Sequence, residues 1–407
     1  MGLLVDIILV IFLLITIGYT YFDKNVLNPL AVFYTPLFGS YFLFELLYAD
    51  EILLRLNTIL SVVLGPLGFF LGFFLSIIGI GLSNKNNNYY LFRPQSVLPG
   101  IKSFFLVIGI LSVVLGLPTF VSHGLGGSNS FFVNVRFAVD GNRNAYSDFT
   151  NYGSIIFFII TLLYYYEYKI EGDKRNKKLL LFFLLPMLCL ATIYYMSRAV
   201  ILSHFIAFIF VEHIATLKKY SRKIILKRLC IGCLIICFIF CFFAEVSGIS
   251  GGKVFSTDYF LWRYWGYPIL AFEREKAPYA YTTIGFSSIG SLSKLLLISG
   301  LWGERLSYSG AADEGFFNVY SYLACPYNDF GVEGCFFIML VIGCFSGVLY
   351  GFSRKYKFFT IAYATFVYTY VMAFFAYCFS NTVNFYYIGF IFVLSLFSKK
   401  GGISKAK

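Results

Sequence analysis

Eleven apolar runs divide the chain, at roughly 3–20, 29–48, 57–82, 100–121, 150–168, 179–196, 198–215, 229–245, 331–352, 358–378 and 382–398. Most approach the ~20 residues that carry a helix across a hydrocarbon core about 30 Å thick. The pattern therefore predicts an all-α polytopic membrane bundle of about eleven spans. The polar links between runs are of two kinds, one rich in Lys and Arg and one poor in them. With the tail Lys399, Lys400, Lys405 and Lys407 in the cytoplasm, counting backwards puts Arg354/Lys355/Lys357, Lys218/Lys219/Arg222/Lys223/Lys227/Arg228 and Lys169/Lys174/Arg175/Lys177/Lys178 on that same side. Lys24, Lys85, Arg93 and Lys102 join them, as the positive-inside rule requires, and the N-terminus faces out. Residues 1–20 have neither a basic n-region nor a small-residue cleavage site, so the first run reads as a span and the mature chain as starting at Met1.

Three regions follow: eight spans over 1–245 with a smaller outer loop at 122–149, a large outer loop over 246–330, and three spans with a cytoplasmic tail over 331–407. The large loop is far longer than a mere connection. All three tryptophans, Trp262, Trp265 and Trp302, lie in it with many Tyr and Phe, which argues against disorder and for a partly helical cap over the bundle. Within it, Thr283 to Gly303 reads as an amphipathic helix on the membrane surface. Ser, Gly and Lys294 interrupt its apolar pattern, and another span there would throw Arg354, Lys355 and Lys357 outside. No inverted repeat of the transporter kind is visible.

Composition narrows the class. Apolar residues make up 59% and charged residues 13%, with 50 Phe and 33 Tyr, against roughly 25% charge in soluble domains. The net charge of +12 sits largely in the inner links, so it orients the chain in a membrane and does not point to nucleic acid. Cys230, Cys233, Cys237 and Cys241 form one helical stripe with no His or carboxylate among them, which is the pattern of packing and not of a metal site. Cys325 is the single cysteine in an outer segment, so an intrachain disulfide framework is not expected.

Candidate chemistry gathers at the outer face. Ser197-Arg198 joins two apolar runs with almost no link, which requires a sharp turn. An arginine at that depth is costly and usually has a partner or a function. With Ser197 as N-cap, the helix N–H groups and the Arg198 guanidinium would converge on one anion, a phosphate being suited to the planar fork; snorkelling to the interface is the plainer alternative. Arg136, Arg143 and Arg263 depart from the inside bias in the same way, and such cations would stabilise negative charge on a bound anion. Solvated loop charges are the simpler reading of each. Arg263 lies in Trp262-Arg263-Tyr264-Trp265-Gly266-Tyr267-Pro268, where aromatic faces could stack on sugar rings. A general base for an acceptor hydroxyl has the candidates Asp313, Glu314, Asp329 and Glu333, with Glu304 further back. Asp313-Glu314 stands in a Gly-flanked turn, whereas Asp329 could equally cap the helix after it. No cluster has metal-ligand spacing, so a metal-independent reaction without a cofactor is expected.

The densest polar run is Asn318-Val319-Tyr320-Ser321-Tyr322, followed by Tyr327-Asn328-Asp329-Phe330-Gly331-Val332-Glu333-Gly334 at the head of the ninth apolar run. This Asn-Val-Tyr-x-Tyr and Tyr-x-Asp-Phe-Gly-x-x-Gly pattern resembles the signature of the Wzy-type O-antigen and capsule repeat-unit polymerases. The resemblance covers mainly residues 190–350. It implies a fold similar to the lipid-sugar glycosyltransferase (GT-C-like) class in the bacterial inner membrane. The implied reaction is inverting transfer of a growing glycan from undecaprenyl pyrophosphate onto a new lipid-linked repeat unit, and a chain-length regulator is a partner the resemblance allows. Arg198 with Arg136, Arg143 or Arg263 would hold pyrophosphate. Asp313, Glu314 or Asp329 would serve the acceptor hydroxyl, and Asn318, Tyr320, Trp262 and Trp265 would line the sugar path. O-antigen ligases share the layout but carry a functional His in the large loop, which has none here; His123 is the only histidine in an outer segment, and His204 and His213 lie on one helix. A flippase would want ionisable residues and broken helices at mid-membrane depth.

The orientation is testable with single cysteine labels in intact cells. Labels near Asn176 and Arg222 should react only from the cytoplasm, and labels near Ser256 and Ala277 only from outside; the opposite result at either pair overturns the charge argument.

Overall fold

A computed structural model describes residues 2–48, 52–82, 95–141, 145–217, 265–276, 321–379 and 381–400, together with Lys227, Ile231, Gly232, Leu234, Phe238 and Ser288. In chain order the helices are α1 (Gly2–Asp23), α2 (Pro29–Tyr48), α3 (Leu56–Leu82), α4 (Pro99–Leu125), α5 (Phe131–Gly141), α6 (Asp148–Tyr166), α7 (Leu185–Ile193), α8 (Arg198–Leu217), α9 (Ala324–Ser353), α10 (Lys357–Val371) and α11 (Thr382–Leu396). A π turn, Glu167–Glu171, extends α6, and a helical turn at Lys177–Leu179 with a π turn at Leu180–Leu184 leads into α7. Two three-residue strands, β1 (Gln95–Val97) and β2 (Ser398–Lys400), pair antiparallel.

The chain is an all-α membrane protein. Among the described residues, α1, α2, α3, α4, α6, α8 and α9 contain the seven helices long and apolar enough to cross a membrane. Their ends follow local chemistry. Pro29 opens α2, where its missing N–H is no loss, and Asn28 Oδ1 accepts the Ala31 N–H at 3.0 Å. Ser147 caps α6 by accepting the Thr150 N–H at 3.3 Å, with Asp148 in the first turn against the positive end of the dipole. The apolar run at 358–378 is helical only to Val371, followed by a tighter turn at Met372–Phe374. Two of its carbonyls beyond that point bond another segment: Ser321 N–H donates to Phe375 O at 3.2 Å and Tyr322 N–H to Ala373 O at 2.9 Å. Apart from Ile231, Gly232, Leu234 and Phe238, the run at 229–245 lies outside the described residues, the four cysteines of its stripe included, as does Thr283 to Gly303 apart from Ser288.

The helices group into two compact units that are not consecutive in the chain. The first comprises Met1–Tyr89, Phe255–Phe352 and Thr369–Phe385; the second comprises Tyr90–Val254, Ser353–Tyr368 and Tyr386–Lys407. In the first unit, α3 and α9 touch backbone to backbone. A Cβ on Gly68 would stand 2.2 Å from the Phe336 carbonyl oxygen and one on Gly72 2.0 Å from that of Leu340; from the other side, a Cβ on Gly343 would stand 2.2 Å from the Phe69 carbonyl oxygen. Small residues repeating every fourth position let helices approach this closely, which is how packing replaces the hydrophobic effect inside a bilayer. Aromatic rings fill the space beside the seam, with Phe33 stacked on Phe69 at 4.1 Å. At one end, the Tyr350 hydroxyl donates to the buried Asp23 carboxylate.

In the second unit, α4 and α6 also approach over glycines, Gly109 against the Cα and Cβ of Phe157 and Gly153 against the side chain of Ser112. Their shared end holds a buried ionic network. Lys357 Nζ, 1% exposed, lies 2.8 Å from Glu167 Oε1 and 3.1 Å from Glu171 Oε1, and Lys102 Nζ pairs with Glu167 while sitting 3.5 Å over the Tyr164 ring. Two cations and two carboxylates balance one another, so no charge is left buried alone. Nearby in sequence, the exposed Arg175 binds the partly buried Asp173 carboxylate and holds its pKa down to about 2.

Valine at Gly72 should lower the thermal midpoint of the purified protein by several degrees or prevent its recovery. Overpacking typically costs about 1–3 kcal/mol, and here the obstacle is a backbone carbonyl that cannot rotate away. Gly79→Val, on the same helix with nothing within 4 Å, should leave the midpoint unchanged. Equal midpoints for the two variants would disprove the seam.

Candidate functional site

The Tyr327–Gly334 motif builds a break inside α9. Residues up to Asp329 are helical, then Phe330 (φ −139°, ψ 19°) and Gly331 (φ 65°, ψ −150°) leave the helix before it resumes. Gly331 adopts backbone angles that a side chain would strain. Gly334 serves a different need: a Cβ there would stand 2.3 Å from the Pro326 carbonyl oxygen, so the short first segment can fold against the resumed helix only over a glycine. Both glycines of Phe-Gly-x-x-Gly are thus explained by the backbone.

The break leaves a crevice of about 570 Å³ between the resumed helix and the start of α3. Its apolar walls are Leu60, Leu64, Val332, Phe336 and Phe337, and its polar groups are Asn57, Tyr327 and Glu333. Asn57 Nδ2 donates to the Tyr327 hydroxyl at 3.1 Å, and Glu333 is exposed in the first turn after the break. Phe272 meets the Tyr327 ring edge-on at 5.3 Å, which brings the next residue, Glu273, to the same end of the unit. Glu273 is buried, and Arg55 binds it twice, through its backbone N–H at 3.1 Å and its Nε at 3.2 Å.

Asp329 is 1% exposed. Its Oδ2 accepts the backbone N–H of Ser288 at 2.6 Å, while the Tyr377 hydroxyl donates to the Ser288 carbonyl at 3.2 Å. The carboxylate therefore ties a residue of the long loop to the motif, an occupation distinct from the two roles its sequence position suggests. Trp265 belongs to the same unit. The Ser40 hydroxyl bonds its carbonyl, and its ring packs on Gly39 and lies 5.2 Å from Phe374, leaving the residue 41% exposed.

The second unit carries Arg136 and Arg198. Arg136 sits half-buried on α5, whose position is fixed by Asn134: its Nδ2 donates to Gly124 O and Asn129 O, both at 3.0 Å, and its Oδ1 accepts the Asn129 N–H at 3.1 Å. Arg198 is the first helical residue of α8. The sharp turn before it is real, with Met196 at φ 42°, and Ser197 holds the N-cap position, its carbonyl accepting the Ile201 N–H at 3.2 Å. The Tyr146 hydroxyl anchors this turn by donating to Tyr194 O at 2.9 Å, and His123 Nε2 lies 3.0 Å from Ala145 O. His204 is held between Thr192 (3.2 Å) and Tyr387 (3.4 Å) and stacks on Phe158. Arg143, Trp262, Arg263, Asp313, Glu314, Asn318 and Tyr320 lie outside the described residues.

Sequence reasoning passed over Arg55, Asn57 and Glu273. Arg55 carried a usable signal, since it too departs from the inside bias of the basic residues. Glu273 did not, because Phe272-Glu273-Arg274-Glu275-Lys276 reads as a solvated charge run. No family model, curated protein or solved structure matches this chain.

Hydrogen exchange at the Ser288 amide tests the Asp329 tie. A hydrogen bond to a charged group contributes about 1.5–3 kcal/mol, so Asp329→Ala should speed local exchange roughly tenfold to a hundredfold. Asp329→Asn retains an acceptor oxygen and should change it much less. Unaltered exchange in the Ala variant removes the tie.

Proposed function

We propose that this chain polymerises undecaprenyl-pyrophosphate-linked oligosaccharide repeat units into O-antigen or capsular polysaccharide at the outer face of the bacterial inner membrane. The reaction would be an inverting, metal-independent glycosyl transfer. The observation that carries the reading is the motif's own geometry: the residues that resemble the polymerase signature make the helix break and border a crevice that is polar at Asn57, Tyr327 and Glu333 and apolar elsewhere. Such a surface suits a sugar carried on a lipid. In this reading about eleven spans form a GT-C-like bundle with the N-terminus out and the C-terminus in.

Each proposed role follows from the chemistry of transfer. The acceptor hydroxyl oxygen attacks the anomeric carbon of the donor, the bond to pyrophosphate breaks, and pyrophosphate leaves with the electron pair. Arg198, with Arg136, Arg143 or Arg263, offsets the charge that appears on it. Asp313, Glu314 or Asp329 takes the hydroxyl proton. Of these, Asp329 already accepts the Ser288 N–H, which favours Asp313 or Glu314 as base. Asn318, Tyr320, Trp262 and Trp265 serve the sugar path. A ligase that passes the glycan to another lipid, or a flippase for the same carrier, is the rival reading.

A strain lacking this gene, complemented with it and examined by a gel of its surface glycan, separates these. A ladder restored by complementation, with single-unit glycan in the mutant, supports a polymerase; complete loss of surface glycan in the mutant supports a ligase or flippase. Arg198→Ala should abolish the ladder at normal protein level, and Arg198→Lys should recover little, because a point charge cannot reproduce a bidentate fork. Asp313→Asn or Glu314→Gln should reduce polymerisation by about 10²–10⁴ if that residue is the base. Full ladders in all four variants would end the mechanism.

A further inference from the structure

The crevice between α3 and α9 has a chemistry that chooses among the parts of a lipid-linked glycan. Its polar groups are a carboxylate (Glu333), an amide (Asn57) and a phenol (Tyr327). Among the described residues that line it there is no cationic side chain. Phosphate is bound by guanidinium, ammonium or clustered N–H groups, and a carboxylate in the same small space repels it. Neutral hydroxyls, each both donor and acceptor, match a set that mixes acceptors and donors.

The walls fit the same ligand. Phe336 and Phe337 present aromatic and apolar surface of the kind that covers the C–H faces of a sugar ring, and the volume of about 570 Å³ falls within the usual range for small-molecule sites, about 300–1,000 Å³. Access is lateral. Phe337 is 61% exposed and Val341, one turn further along α9, is 63% exposed, so the crevice opens onto an apolar face of the kind that meets lipid. Its floor is stiff, because the glycine seam at Gly68 and Gly72 locks the two helices just below and Gly331 and Gly334 fix the break above. A preformed site loses less on binding.

We infer that this crevice is a sugar subsite that takes an uncharged, hydroxyl-bearing ring from a membrane-borne glycan, with Glu333 and the Asn57–Tyr327 pair on its hydroxyls, and that it does not hold the phosphate groups. Resting on the proposed function for the identity of the glycan alone, it assigns the crevice to the acceptor sugar and leaves pyrophosphate to the arginines. Glu333 is then a positioning group for the acceptor hydroxyl.

The test uses the full-length protein in phosphatidylcholine nanodiscs and a dodecyl glucoside carrying a diazirine on its sugar, with dodecyl phosphate carrying the same photogroup as comparison. The glucoside should label peptides covering Asn57–Leu64 and Tyr327–Phe337, and unlabelled dodecyl maltoside should compete while dodecyl phosphate does not. Labelling should fall about tenfold in Asn57→Ala and Glu333→Ala, the loss expected when hydrogen bonds to a bound ligand are removed. Leu60→Trp, which fills the apolar wall, should abolish it with an unchanged thermal midpoint. Equal labelling by the phosphate probe, labelling spread over all helices, or labelling indifferent to these substitutions overturns the inference. Specific labelling without a glycan ladder in the complementation assay keeps the sugar subsite and removes the polymerase; a ladder without specific labelling does the reverse.

Discussion

The backbone contact between α3 and α9 is the constraint on which the rest of the first unit depends. Hydrocarbon offers no drive to associate apolar helices, so close contact must supply it, and only glycine permits a carbonyl oxygen to lie where a Cβ would stand. The seam sets where the helices can part. Gly68 lies against Phe336 and Gly343 against Phe69, and beside this contact Leu60, Leu64, Phe336 and Phe337 line the crevice. The break at Phe330 and Gly331 also borders it, Gly331 among the lining residues.

Polar groups are distributed according to what burial demands of them. A carboxylate or ammonium buried alone is very costly, and removing one partner of a buried pair typically costs 3–5 kcal/mol. The second unit meets this with the four-membered Lys102–Glu167–Lys357–Glu171 network, which joins the ends of α4 and α6 to the start of α10. The first meets it with Arg55 on Glu273, Ser288 on Asp329 and Tyr350 on Asp23. Each contact spans a long stretch of sequence, so each fixes topology as well as satisfying a buried carboxylate. Glu333, by contrast, is exposed at the crevice.

Under the proposed function, a division of labour would follow from charge type. Guanidinium groups suit phosphate and carboxylate–amide–phenol sets suit hydroxyls, so a reaction that joins a lipid pyrophosphate donor to a sugar acceptor benefits from keeping the two sets apart. A single mixed site would neutralise its own arginines with its own carboxylates before substrate arrived. The pairing of Arg55 with Glu273 illustrates that outcome.

The sequence by itself determined what depends on solvent and on local backbone geometry. Apolar run length dictated membrane helices, since unsatisfied peptide groups cannot face hydrocarbon. The Ser197-Arg198 junction dictated a sharp turn because no residues were left for a loop, whereas the break at Phe330 and Gly331, where the sequence reads as the start of a helix, came from the structure. Some helix ends escaped prediction: the run at 358–378 reads as continuous helix, yet its last carbonyls are taken by Ser321 and Tyr322 from a distant segment. Tertiary structure alone decided which polar residues are buried and with whom. Asp329 reads equally as cap or base until Ser288 is found on it, Glu273 reads as solvated until Arg55 covers it, and Asn57 acquires meaning only beside Tyr327, 270 positions away. The reason is physical: hydropathy and backbone preference are properties of neighbours in sequence, whereas the partner that makes a buried charge tolerable is chosen by the packing of helices that sequence order leaves far apart.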